Sequence, residues 1–159
     1  MKDFFRVRYA QQHTNFLILA SFATFITIYL LGYLAQISGY PILTAPLGAS
    51  CIIMFGFYGL PIARTRNVLL AYAIAIAASF IAPSELWGLA LAVSLTLFIM
   101  IKINFIHPPA GGVPFILHYM HLQPQDFVIG TTMGVLAIIL VSIPFRNIVD
   151  SVILKKPKQ

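Results

Sequence analysis

Charged side chains are missing from two long parts of this chain, and apolar runs fill both parts. No Asp, Glu, Lys or Arg occurs at residues 9–63 or at residues 103–125. The longer apolar runs approach about 20 residues, and a helix of that length spans about 30 Å, the thickness of a hydrocarbon core. The pattern predicts six helical spans, at residues 16–37, 46–58, 68–82, 86–105, 113–121 and 127–145.

The composition indicates a membrane protein. Of the 159 residues, 60% are hydrophobic and 9% are charged, whereas a soluble domain carries about 25% charged residues. The predicted fold class is therefore an all-α membrane protein with a single transmembrane domain over residues 1–159. The first apolar run is too long for a signal peptide and has no clear cleavage site, so we expect an uncleaved first span.

The basic residues indicate how the chain is threaded through the membrane. They lie in small groups beside apolar runs, so the formal charge of +6 does not indicate a nucleic-acid partner. If all six segments cross, every basic residue falls on the side of the N terminus: Lys2, Arg6, Arg8, Arg64, Arg66, Lys102, Arg146, Lys155, Lys156 and Lys158. If the two short segments only re-entered, three of these residues would move to the other side.

The positive-inside rule favours the six-span arrangement with both termini in the cytoplasm. We expect a multi-pass protein of the bacterial inner membrane. The partner expected for the basic tail is anionic membrane lipid.

Two breaks rich in Gly and Pro lie at the starts of two short spans. The first break contains Pro46, Gly48, Ala49 and Ser50, and the second consists of His107, Pro108, Pro109, Ala110, Gly111 and Gly112. Within lipid, irregular backbone survives only where it is buried in protein or lines a cavity. We expect residues 107–112 to be unwound, with Pro114 in the first turn of the helix that follows.

The order of the spans predicts two inverted three-helix repeats, at residues 16–82 and 86–145, each with a broken short helix. In that arrangement the two short helices enter from opposite sides and point their N-termini at each other near the midplane. A helix N-terminus carries about +0.5 charge and unpaired N–H groups. The facing pair therefore predicts a small-anion site, made by the backbone amides of residues 48–50 and 110–112.

Four side chains are further candidates for this site. His107 could act as a gate, a proton-coupling group or an anion ligand, or it could hold the Pro-Pro turn in place. Arg66 and Asn67 could recognise an oxyanion or cap the loop before the third span. Lys102 could add positive charge to the path, or its ammonium group could extend to the membrane interface.

No enzyme, metal site or cofactor is predicted. His118 and His121 are three residues apart, but no third or fourth metal ligand is evident. No Ser-His, Cys-His or paired-carboxylate set is visible. The single cysteine, Cys51, is expected to pack in the protein interior.

The chain resembles the HPP family of integral membrane proteins, named for His-Pro-Pro. The resemblance rests on residues 46–50, 55–56, 61, 63, 66–67 and 107–111. The chain departs from the family pattern at residues 64–65, which replace Gln-Pro, at Tyr72, where His is frequent, and at Gly112, which replaces Ala.

The resemblance implies a transporter of a small inorganic anion, because plastid and cyanobacterial family members are associated with nitrite. A channel for a neutral small solute and a non-transporting subunit of a membrane assembly are the alternatives. A homo-oligomer is expected, because one chain of this length has little surface with which to enclose a path.

Overall fold

The computed structural model describes residues 13–153, and this part of the chain contains helices and no strand. The six α-helices are α1 (Thr14–Ser38), α2 (Ala45–Gly56), α3 (Thr65–Ile81), α4 (Leu86–Lys102), α5 (Val113–Met120) and α6 (Pro124–Ile148). Short 3₁₀ helices lie at Pro61–Ala63 and Pro108–Gly112, and a π-helical turn at Val149–Ile153 follows α6. Each predicted span overlaps one of the six helices, and no predicted bound is more than three residues from the observed one. The basic residues of both termini lie outside the described part.

Two segments are long and apolar enough to cross a membrane on length and composition alone, Thr14–Ser38 and Pro124–Ser151. The helices α2, α3 and α4 are apolar but shorter, and α5 has eight residues. Large apolar side chains on α1 are exposed, including Phe25 at 67% and Tyr29 at 71%. Exposure of this kind is expected where lipid replaces water as the solvent, so the chain is a helical membrane protein.

The charged residues mark two ends of the bundle. Basic residues flank α3, α4 and α6 at one end, which we call the basic end: Arg64, Arg66, Lys102 and Arg146. Two contacts join these segments, since the Arg146 guanidinium donates to the Ala63 carbonyl and the Arg66 guanidinium lies 5.6 Å from the Phe105 ring centre. We call the opposite end, with Glu85 and Asp126 at the starts of α4 and α6, the acidic end. Asp150 lies at the basic end, just beyond α6.

Two glycines of α6 let α2 begin deep inside the bundle. A Cβ at Gly130 would come within 3.0–3.2 Å of Pro41, and one at Gly134 would overlap Leu47. Gly134 lies about 15 Å along α6, which is about 37 Å long at 1.5 Å per residue. The start of α2 is therefore level with the middle of α6, and both glycines pack against residues of the same chain.

From this level α2 runs to the basic end, where the Met54 sulfur lies 3.9 Å from the Arg146 guanidinium. An aromatic cluster closes that end, with Phe55 and Phe145 edge to face at 5.0 Å and Phe16 and Tyr58 beside them. The basic end is thus tightly packed.

Replacing Gly134 by alanine is expected to lower the free energy of unfolding by about 1–3 kcal/mol, because the new methyl group would displace Leu47. Unfolding in detergent, followed by circular dichroism, measures the change. Gly48→Ala is the matched control, since its methyl group would make only an ordinary 3.9 Å contact with Ile28. Equal stability of the two variants would contradict the proposed close packing of α2 on α6.

Candidate functional site

The two breaks have different backbone conformations. Before α2 the chain is extended, with Thr44 at φ −124° and ψ 155°. The expectation that residues 107–112 are unwound is wrong, because Pro108–Gly112 form a 3₁₀ helix that continues into α5. Proline suits the first two positions of such a helix, since its φ near −65° is helical and those positions need no N–H donor. Pro114 lies in the first turn of α5, as predicted.

The two short helical segments pass side by side and do not face each other end to end. The Pro46 ring lies 2.9 Å from where a Cβ of Gly112 would stand. One turn along α2, Ser50 bonds to His107. Pro46 lies beside Gly112 and Ser50 lies beside His107, so the two segments run antiparallel. The expectation that the two N-termini point at a shared pocket is therefore wrong. The two segments instead overlap and are in contact, and we call this region of contact the crossing.

His107 lies at the crossing, and both of its ring nitrogens have partners. The side chain is fully buried. Nδ1 lies 2.7 Å from the Ile62 carbonyl oxygen, and Nε2 lies 2.8 Å from the Ser50 hydroxyl. The Ser50 oxygen is also 2.8 Å from the Tyr72 hydroxyl. Together, Tyr72, Ser50, His107 and the Ile62 carbonyl form a continuous hydrogen-bonded chain, which we call the polar chain.

The donors in this chain can be assigned from the partners. A carbonyl only accepts, so His107 Nδ1–H donates to Ile62. In a neutral ring Nε2 accepts from Ser50, and the Ser50 oxygen accepts from Tyr72. If Nε2 also holds a proton, it donates to Ser50, whose own hydrogen can turn to the Pro46 carbonyl 3.0 Å away. The polar chain can therefore hold or release a proton at His107 without losing a hydrogen bond.

Some of the backbone N–H groups predicted to bind the anion already donate hydrogen bonds within the helices. Gly48 N–H donates to the Thr44 carbonyl at 3.0 Å, and Ala110 N–H donates to the His107 carbonyl at 3.1 Å. The N–H groups of Ala45 and Leu47 precede the first helical bond of α2. The Thr44 side chain does not cap the helix, and its hydroxyl has no hydrogen-bond partner within residues 13–153. The donors at the start of α2 therefore lie one and three residues before Gly48, where the predicted set began.

A groove of about 670 Å³ runs beside the crossing. Its walls include Thr44, Pro46 and Ala49 on one side and Pro109, Gly112 and Ile116 on the other. The lining is mostly apolar, and His107 and Ser50 are not part of it. Small anions gain little from apolar walls, and the polar partners along the groove are the Thr44 and Tyr119 hydroxyls and the start of α2.

The remaining predicted residues lie away from the groove. Arg66 and Lys102 are exposed at the basic end. Asn67 is buried, and its amide nitrogen lies 3.5 Å from the Ile106 carbonyl oxygen, which places it beside the residue that precedes His107. Its own side-chain oxygen has no hydrogen-bond partner among the described residues. The structure thus brings Asn67, but neither of the two cations, close to the polar chain.

Tyr72 and Arg146 are site residues that the sequence analysis missed. Tyr72 entered only as a departure from the family pattern, and Arg146 only as a topology charge. Arg146 is the one basic side chain among the described residues that is not exposed, and it donates to the Ala63 carbonyl. The carbonyl of the preceding residue, Ile62, accepts from His107. The available signal was a basic residue at the end of the last apolar run.

Comparison with known proteins identifies a family for this chain. The family model described as "HPP, transmembrane region" matches residues 10–152. No curated protein and no solved structure matches the chain. The match covers all six α-helices.

Proposed function

Because the chain belongs to the HPP transmembrane family, and membership of this family suggests a role in membrane transport, we propose that it transports a small inorganic anion. Nitrite is the first candidate. The substrate would pass at the crossing of the two short helices. The observation that carries the proposal is the polar chain, which lies near mid-depth in an otherwise apolar bundle. Ionisable side chains at such depth are costly and are functional by default.

The proposed roles follow from position. The start of α2 supplies a positive helix end and the first N–H groups, and Pro46, Gly48 and Ala49 shape the approach to it. Gly112 allows Pro46 to come close, and residues 108–111 hold the second segment against the first. His107 and Ser50 would take up or release a proton as the anion passes. No covalent chemistry or cofactor is part of this proposal.

The proposal extends to topology and assembly. The described basic residues at a single end support an inner-membrane orientation in which that end and both termini face the cytoplasm. Helices that alternate between the two ends support two inverted repeats, at residues 16–82 and 86–145. The proposal includes a homo-oligomer, in which a second chain would cover the open apolar groove at the crossing. Arg66 and Lys102 would attract the anion to the basic end, and Asn67 would steady the backbone beside His107.

The apolar lining of the groove favours one other candidate, passage of the uncharged conjugate acid. That species needs no charge-compensating wall. Its flux would rise about tenfold for each unit of falling pH at fixed total nitrite, because its fraction does so above its pKa. It would also carry no current. Anion transport predicts currents that follow the nitrite gradient.

Nitrite flux into proteoliposomes is expected to fall about tenfold in Gly112→Ala. The added methyl group would meet the Pro46 ring at 2.9 Å and separate the two segments. A 1.4 kcal/mol rise in a barrier gives that factor, and overpacking costs about 1–3 kcal/mol.

The matched control is Gly111→Ala, whose methyl group would meet nothing within 4 Å. Equal nitrite flux in the two variants would show that the substrate does not pass at the crossing. Absence of flux in the wild type, with a stable complex recovered from native membranes, would instead favour an assembly subunit.

A further inference from the structure

A second cavity opens at the acidic end, separate from the groove. It has a volume of about 240 Å³ and lies between α5, α4 and the loop that joins α3 to α4. Polar side chains line part of it, including His118, His121 and Ser84, while Ala92, Leu117 and Pro114 belong to its apolar wall. Its titratable lining residues are the two histidines. Glu85 follows Ser84 directly, but it is exposed and does not line the cavity.

The cavity reaches from the surface to the neighbourhood of the crossing. Ala92 lies six residues into α4, about 9 Å from its start, and Pro114 lies a similar distance along α5 from His121. Pro114 is two residues from Gly112, which contacts Pro46. The inner limit of the cavity is therefore within one helical turn of the proposed path.

Backbone packing keeps the mouth of the cavity in place. A Cβ at Gly88 would overlap the backbone of Pro83, so the loop lies flush against α4 only because residue 88 is glycine. His121 holds a left-handed conformation at φ 48° and ψ 39°, at the end of α5. Histidine adopts this conformation more often than most residues do, and here it ends α5 as a left-handed cap.

We propose that this cavity is a binding vestibule for a small oxyanion or its conjugate acid, with N–H groups of His118 and His121 and the hydroxyl of Ser84 as donors. The inference rests on the proposed function, because it makes the cavity the acidic-end entrance to the crossing. The lining offers several hydrogen-bond donors and no carboxylate. Such a site binds weakly and releases readily, as a transport path requires.

Cysteine labelling in proteoliposomes tests the vestibule. Ala92→Cys and Leu117→Cys should react with a small charged methanethiosulfonate, because both positions line the cavity. Thr96→Cys should not react, because Thr96 is as buried as Ala92 but lies one turn deeper and outside the lining. The wild type, with its single buried Cys51, gives the background. Nitrite should slow labelling at position 92 in a saturable manner, and gluconate of equal ionic strength should not.

Histidine variants identify the ligands. His118→Ala or His121→Ala, each combined with Ala92→Cys, should raise the half-protecting nitrite concentration by about fivefold, the effect of losing one hydrogen bond. His13→Ala is the control, since His13 lies before α1 and outside the cavity. The vestibule would be overturned if position 92 were labelled no faster than position 96. It would also be overturned if neither histidine substitution changed the half-protecting nitrite concentration.

Flux measured on the same vesicles separates the two proposals. Nitrite flux without protection at position 92 would overturn the vestibule and leave transport intact. Protection at position 92 without nitrite flux would support the binding site and contradict the proposed transport function.

Discussion

His107→Ala is expected to lower the free energy of unfolding by about 3–5 kcal/mol, the range for removing a large buried ring. The ring is fully buried, and its loss would leave the Ile62 carbonyl and the Ser50 hydroxyl each short of one partner. Each buried polar group left unsatisfied costs about 1–3 kcal/mol. Unfolding by SDS titration of the detergent-solubilised protein measures the total.

Two conservative variants separate the two sides of the ring. Asparagine at position 107 places an amide where Nδ1 stands and can still donate to Ile62. Glutamine reaches toward the place of Nε2 and can still bond to Ser50. Ser50→Ala should cost about 1–3 kcal/mol in the wild type and clearly less in His107→Asn, because the shared bond is already absent. Strict additivity of Ser50→Ala and His107→Asn would contradict a bond between the two side chains.

Arg146→Met is expected to lower the free energy of unfolding by about 1–3 kcal/mol. The guanidinium donates to the Ala63 carbonyl and so ties the end of α6 to the turn between α2 and α3. Methionine fills a similar volume and donates nothing, so it isolates the hydrogen bond from the packing. Because His107 holds the adjacent carbonyl of Ile62, Arg146→Met should also lower nitrite flux. Arg146→Lys keeps a donor and should recover part of both losses.

Lys102→Met is the matched control. Lys102 is exposed at the same end of the bundle and carries the same charge, so its loss should change stability by less than about 0.5 kcal/mol. Similar losses for Lys102→Met and Arg146→Met would mean that net charge at the basic end, and not the Ala63 bond, controls stability.

The helices were largely readable from the sequence because their determinants are local. An apolar run of sufficient length becomes a helix in a membrane, since every backbone N–H and C=O must be satisfied within the segment. Turn residues such as Gly39 and the Pro83-Ser84 pair then set the ends. For this reason the six helices fall where predicted, including the short α2 and α5.

The backbone conformation of the second break could not be predicted from neighbouring residues alone. Two prolines favour either an extended segment or the first turn of a helix, because a φ near −65° fits both. At Pro108 and Pro109 the helical choice is made by contacts from elsewhere, with His107 tied to Ile62 and Ser50 and with Gly112 against Pro46. The polar chain likewise joins side chains 22 and 57 residues apart.

The sequence by itself determined that this is a helical membrane protein with six apolar segments, and it located the His-Pro-Pro break that marks its family. It did so because hydrophobic length and proline geometry act over a few neighbouring residues. Only the tertiary structure decided that the two short helices overlap side by side, that Tyr72 and Ser50 reach His107, and that Arg146 holds the turn behind it. Those contacts depend on how distant segments pack, and side-chain packing in three dimensions leaves no periodic trace along one chain.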